Sequence, residues 1–326
     1  MRVLALLTAM LLPLIGAGGD RSLRLERLGA LARIEAVPVA IDPADPARRR
    51  VGGLIYLGGV RLTSPDPMFG GYSALTVEGD RFTLLSDGGH VVRFRMGGDW
   101  RLREPSFANL VDGPGTGWSK IDRDSESLVV DRASGRAWIG FEHWNQIWRY
   151  DADLRRAQAH AAPVAMRSWD LNGGPEAMAR LRGGAFLVIS EFSWFNKSGA
   201  RMGLWFADDP TRRPVPAFRF GYRPPKGFNP ADMTQLPDGR LLILNRDFGL
   251  RHLFRVTLTL VDPREIRPGA IVRGREIATL AAPLLHDNFE GVAAMREGDA
   301  TVLWIVSDDN RQPWEQTLLL KFRLDG

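Results

Sequence analysis

A pattern recurring five times constrains the fold more than any other feature of this chain. Its copies begin GYSALTVEGDRFTLLSDGG (from Gly71), SESLVVDRASGRAWIGFEHW (from Ser125), GPEAMARLRGGAFLVISEF (from Gly174), PADMTQLPDGRLLILNRDF (from Pro230) and FEGVAAMREGDATVLWIVSDDN (from Phe289). Each reads as a short apolar strand, a Gly-containing turn, a second apolar strand and an acidic residue. The lead position is Ser73, Glu126, Glu176, Asp232 and Glu290, at spacings of 53, 50, 56 and 58. The closing acid is Asp87, Glu142, Glu191, Asp247 and Asp308, following by 14, 16, 15, 15 and 18 residues. A repeat near 50 residues built of short strands predicts the blades of a β-propeller. Each such unit buries its faces against its neighbours, so the repeat argues for one domain over residues 51–326, after a lead-in and linker at 20–50.

Each repeat continues into a third strand: VVRFRM (91–96), QIWRYD (146–151), MGLWFA (202–207), HLFRVTLTLV (252–261) and TLLLKFRL (317–324). A more variable fourth strand follows, for instance AIVRGREIATL (270–280), but the last repeat ends without one. The unpartnered run Val51 to Leu62 is expected to supply it. That pairing would close the ring and hide two sheet edges. The sequence therefore predicts an all-β propeller of five four-stranded blades, or six if residues 25–62 hold a degenerate blade. Ile34 to Ile41 alternates weakly and reads as an edge strand.

Composition excludes several function classes. The chain has no cysteine, which removes disulfides, thiolate metal sites and cysteine nucleophiles. Its net charge is +5, but lysine occurs only at Lys120, Lys197, Lys226 and Lys321, and arginine is scattered through every repeat. No nucleic-acid-binding motif accompanies that charge, so a nucleic-acid partner is not expected. Arg2, an apolar run from Val3 to Ile15 and small residues at Gly16–Gly19 form a signal-peptide layout. The run is shorter than the roughly 18–20 residues of a membrane span. Cleavage near Gly18 or Gly19 and a periplasmic or secreted protein are expected; the alternative is an uncleaved anchor.

In a propeller the first strand of each blade lines the central channel, and the second runs antiparallel to it. Lead and closing residues should therefore share one face. Glu126, Glu176, Asp232 and Glu290 would converge as ligands or general base, with Ser73 in the fifth place. Asp87, Glu142, Glu191, Asp247 and Asp308 would join them as metal ligands. Crowded carboxylates raise one another's pKa unless a cation neutralises them. Oxygen donors without cysteine favour Ca²⁺, with Mg²⁺ second, and no organic cofactor is expected. In KIDRDSES the alternation of Asp122, Asp124 and Glu126 resembles spaced calcium-loop carboxylates, and Asp308-Asp309-Asn310 is a second oxygen cluster. Lys120, Lys197 and Lys226 each lie six residues from a motif acid, and Arg123, Arg246 and Arg311 sit close by. Lys120, Lys197, Lys226 and Arg246 are candidates to hold a substrate's negative charge, or else they only compensate the acids. His143 follows a closing acid and is a candidate general base; His90 and His286 could reach the same face. Trp144, Trp194, Trp314 and Phe248 follow closing acids and could wall a pocket or pack loops. No Gly-x-Ser-x-Gly elbow is present.

The segments VGGLIYLGGVRLTSPDPMFGGYSAL, FTLLSDGG, SESLVVD with WIGFEHWNQIWRY, GGPEAMA, LVISE, GFNPADMT, LLILNRDF and DNFEGVAAM with VSDDN resemble the phytase-like domain family of exported bacterial proteins. The likeness runs from about Val51 to Leu324. It implies a propeller, export, and hydrolysis of an ester or phosphoester. The related β-propeller phytases use acidic calcium sites beside Lys and Arg that hold phosphates; the acids and lysines are present here without a residue-by-residue match. Three functions follow as expectations: a calcium-assisted hydrolase of a small anionic or ester substrate, a non-catalytic binding or scaffold propeller with a structural ion, and a sugar lactonase.

Overall fold

Strands alternating around tight turns set the architecture. In the first repeat Tyr72–Glu78 pairs antiparallel with Arg81–Ser86, and Glu78 faces Arg81 across a two-residue turn. Gly79 makes that turn at φ 61°, a conformation that costs glycine nothing and an L-residue about 1 kcal/mol. The computed structural model, which describes residues 24–212 and 214–325, contains five such sheets and no α-helix among those residues. The expected leader at 1–19 lies outside them.

From channel to rim, the first blade is Tyr72–Glu78, Arg81–Ser86, His90–Met96 and Leu102–Asn109. The second is Ser125–Asp131, Arg136–Phe141, Gln146–Asp151 and Ala157–Ala161. The third is Pro175–Arg180, Phe186–Phe195, Ala200–Phe206 and Ala217–Arg223. The fourth is Asn229–Gln235, Leu241–Gly249, Leu253–Val261 and Arg275–Leu280. The fifth is Phe289–Glu297, Ala300–Ser307, Thr317–Leu324 and, from the other end of the chain, Leu54–Thr63. The inner strands stand side by side, and the fifth returns against the first. The chain is a five-bladed propeller, and Leu54–Thr63 closes the ring as expected.

Two details differ from the sequence reading. The lead-in is more than a linker: Glu35–Pro38 and Arg50–Val51 both pair with Leu54–Thr63, and Leu28 and Ile41 are buried in the core. The run 270–280 is not one strand. Ile271–Arg273 pairs in parallel with Ala217–Arg223 of blade three, whereas Arg275–Leu280 pairs with blade four. Gly274 separates them, where a Cβ would meet the Thr259 side chain at 2.4 Å.

Apolar side chains fill the seams between blades. Leu244, Leu258, Phe289, Ile305, Leu320 and Phe322 belong to one buried cluster spanning blades four and five. Truncating a ring such as Phe322, fully buried, would cost about 3–5 kcal/mol. This packing holds the channel mouth rigid.

Candidate functional site

One backbone irregularity recurs at the channel mouth. Every inner strand carries a one-residue bulge near its start, between Tyr72 and Ala74, Ser125 and Ser127, Pro175 and Ala177, Pro230 and Asp232, and Phe289 and Gly291. A bulge breaks alternation and re-aims the extra side chain. The bulged residues are Ser73, Glu126, Glu176, Ala231 and Glu290. On each second strand, the residue after the partner of the position preceding the bulge is Asp87, Glu142, Glu191, Arg246 and Asp308; in blade four the pairing runs on to include Arg246 opposite Asn229. In blade four the expected pair Asp232 and Asp247 is therefore out of frame by one. Asp232 turns into the seam between blades, where its carboxylate accepts from Met233 N–H (2.7 Å) and Val292 N–H (2.7 Å). Asp247 lies outward on its own blade, ion-paired with Arg255 and 3.0 Å from His252 Nε2. Arg246 occupies the closing position instead.

The remaining acids do converge. Asp124, Glu126 and Glu142 each bring a carboxylate oxygen to within 4.8 Å of the others. The Glu142 N–H donates to the Asp124 carbonyl (2.9 Å), which fixes the turn that groups them. Burial, then the Glu142, Asp124, Glu290 and Asp87 carboxylates, push Glu126 well above the usual carboxylate range. Burial and the Asp124 charge push Glu142 up to about 9. Glu176 is likewise raised, by burial and by the neighbouring Glu126, Glu191 and Glu142. Asp308 is raised by burial, Glu290 and Asp87.

Three cations serve the rest of the mouth. Arg246 bridges Glu290 and Glu191 (2.8 Å to Glu191), and also donates to Asn288 Oδ1 (2.9 Å). Those two carboxylates raise the Arg246 pKa against the effect of burial. Lys120 and Arg311 both pair with Asp87, Arg311 at 3.2 Å. Burial opposes ionisation of Asp87, but these two cations outweigh it and hold the carboxyl below its usual value.

Several other candidates have structural work. Asp122 accepts from Gly117 N–H (2.9 Å), Thr116 N–H and Thr116 Oγ1 (both 3.1 Å), so it does not join Asp124 and Glu126. Asp309 accepts from Gly71 N–H and Thr317 Oγ1 and ties blade five to blade one. Arg123 is buried against the carbonyls of Leu110, Val111, Pro114 and Asp122. His90 is buried: Arg311 donates to Nδ1 (3.4 Å), so Nε2–H donates to the Glu26 carbonyl (3.0 Å), and the ring is neutral. His286 bonds the Leu284 carbonyl. His143 is half-buried, edge-on to Trp144. Trp144 and Trp314, on loops, and Trp194 and Phe248, near the ends of second strands, are exposed. Lys197 is exposed at the tip of a blade-three hairpin, and Lys226 lines a cleft between blades three and four.

Oxygen-only donors, with Glu126 buried and Asp124 and Glu142 half-buried, suit a hard divalent cation, because bound charge would relieve the repulsion that raises Glu126 and Glu142. Among the described residues no helix is long and apolar enough to cross a membrane.

Solved structures similar to this chain include the endo-arabinase from Bacteroides thetaiotaomicron (8% identity, 78% of this chain and 94% of that chain, TM-score 0.49). The α-L-arabinofuranosidase from Podospora anserina in complex with cellotriose is 12% identical over 89% of this chain and 96% of its own, with a TM-score of 0.49. A putative 6-phosphogluconolactonase from Bacteroides uniformis is 14% identical over 78% and 72%, with a TM-score of 0.41. Likenesses at these values say nothing about chemistry. No curated protein matches the chain. A family model does: the phytase-like model, described as "esterase-like activity of phytase", matches residues 67–311, and the chain belongs to that family.

Proposed function

We propose that this protein is an exported, metal-assisted hydrolase of a phosphoester or carboxylic ester, acting at the carboxylate-lined mouth of the propeller. The observation that carries the reading is the Asp124, Glu126 and Glu142 triad, three carboxylate oxygens within 4.8 Å of one another, where burial and neighbouring acids raise Glu126 and Glu142. These residues would hold Ca²⁺, or Mg²⁺ in its place. When bound, such a cation supplies Lewis-acid polarisation of an ester oxygen and activation of water. Glu176, raised by burial and by neighbouring acids that include Glu142, is placed to give a proton to a leaving oxygen. His143 stands one residue beyond Glu142 and serves as proton acceptor. Arg246 holds Glu290 and Glu191 in place by ion pairs, and Lys120 does the same for Asp87. Lys197 and Lys226, farther out, face the substrate's charge.

The test is hydrolysis of para-nitrophenyl phosphate and para-nitrophenyl acetate, each with Ca²⁺ and with EDTA. Turnover of either ester that EDTA abolishes is expected. Background rates in all four conditions would overturn the reading. A second reading rests on a specific observation: Lys120, Arg246 and Arg311 are already spent on the protein's own carboxylates. A calcium-dependent rise in melting temperature without turnover of esters or sugar lactones would favour a non-catalytic platform holding a structural ion.

A further inference from the structure

A cleft of about 610 Å³ lies between blades three and four, and none of the triad lines it. Its chemistry is the reverse of the mouth's. Arg201, Arg223, Lys226 and Arg273 line it, with Glu276 as the acid among its lining residues. Among the described residues none of these four cations forms a salt bridge, although every cation of the mouth does.

The backbone places these charges together at a cost. Ile271–Arg273 leaves its own blade to pair in parallel with Ala217–Arg223, and the register sets Arg273 directly beside Arg223. Like charges facing across strands destabilise a sheet. Arg223 spends one amino group on the Ser198 carbonyl (2.6 Å), and its buried Nε–H has no acceptor. Arg201 is stacked on Trp194, 3.8 Å from the ring centroid, and bonded to the Phe192 carbonyl and to Asn229, with its own Nε–H also unmet. Burial lowers the Arg201 pKa, and the Glu191 charge partly restores it, so the guanidinium stands close enough to the mouth to feel one of its acids. The connector from Pro224 leads into Asn229–Gln235, an inner strand, so the cleft opens on the face that carries the carboxylates.

We infer that this cleft is a binding site for a small, multiply charged oxyanion, a phosphate- or carboxylate-bearing ligand held by Arg223, Lys226 and Arg273. Trp194 and Phe228 give it an apolar wall, and the ligand supplies the negative charge that the sheet pairing leaves unbalanced. The inference gives Lys226 its companions and concerns binding alone, so it stands or falls apart from hydrolysis at the mouth.

The test is calorimetric titration of the full protein, stripped of metal on a chelating resin and free of soluble chelator. Inorganic pyrophosphate is one titrant and propane-1,2,3-tricarboxylate the other. Saturable binding of at least one, weakening as salt rises, is expected. Pyrophosphate alone would mark the site as a phosphate site, the tricarboxylate alone as a carboxylate site. The double variant Lys226→Glu, Arg273→Glu alters two exposed side chains, and its unfolding curve reports whether the fold is kept. It should bind at least tenfold more weakly. Absence of binding by both anions, or full affinity in the folded double variant, would overturn the site.

Discussion

Two halves of the same mouth solve one electrostatic problem in different ways. At one set of acids the chain supplies its own cations: Arg246 for Glu290 of blade five and Glu191 of blade three, Lys120 and Arg311 for Asp87 of blade one. On the side of blade two, Asp124, Glu126 and Glu142 crowd together, and the charges acting on Glu126 and Glu142 are those of other acids. Burial is similar on both sides. The difference is whether the chain brings its own positive charge. A buried acid held by a cation of the chain is fixed as a structural ion pair, whereas Glu126 and Glu142, raised by burial and by neighbouring acids, are competent to share a cation from solution.

The largest effect should come from removing a built-in cation. Arg246→Met leaves Glu191 and Glu290 buried without their cation, and breaking a buried pair this way costs about 3–5 kcal/mol. Lys120→Met should cost less, about 1.5–3 kcal/mol, because Arg311 still reaches Asp87. Urea denaturation ranks the two. If Lys120→Met is the more damaging, the assignment of Arg246 as the principal counterion is wrong.

A smaller effect, of opposite character, is expected from the crowded acids of blade two. Calcium at a hundred times its dissociation constant should stabilise the wild type by about 2.7 kcal/mol, read as a rise in melting temperature. Glu126→Gln should lose that rise and yet melt close to the wild type in EDTA, since Glu126 is already driven toward its protonated form without metal. A variant that keeps the calcium response removes Glu126 from the centre. One that is badly destabilised in EDTA would make the two halves alike.

This contrast was only partly written in the sequence. The ring, its closure by Leu54–Thr63 and the convergence of Glu126, Glu176 and Glu290 follow from strand period and repeat length, which are local signals. Blade four was misframed because Asp232 and Asp247 are acids at nearly the right spacing. The apolar residue two places after each bulge gives the better frame: Leu75, Leu128, Met178, Met233 and Val292 align Ala231, not Asp232, with the other lead residues. The same alignment shows why the triad forms in blade two. Two places before the bulge stand Gly71, Asp124, Gly174, Asn229 and Asn288, and Asp124 alone among them brings a carboxylate. The basic cleft was not legible, because it depends on a strand split at Gly274 that pairs with a neighbouring blade, a tertiary event without a local signature.

Asp287 separates burial from repulsion, the two effects that the halves of the mouth combine. It is buried and bonded to two backbone groups, Asn288 N–H (2.9 Å) and Gln316 N–H (3.0 Å). Burial nevertheless pushes its carboxyl up to about 7, with only small additions from Glu315 and Asp309. The folded-state value lies above the unfolded one of about 3.9, so the unfolded chain releases this proton first. Its stabilising contribution is complete below about pH 4 and is lost as pH rises to about 7. The loss runs at no more than about 1.4 kcal/mol per pH unit, and the contribution is flat above that window. Asp287→Asn keeps one oxygen acceptor and removes the titration. Its unfolding free energy, measured in urea from pH 4 to 8 without metal, should show a shallower decline between pH 4 and 7 than the wild type. Parallel curves for the two proteins would mean that the N–H donors already hold Asp287 ionised. Burial alone would then be too weak to protonate an acid at this face, and the raised values of Glu126 and Glu142 would rest on mutual repulsion.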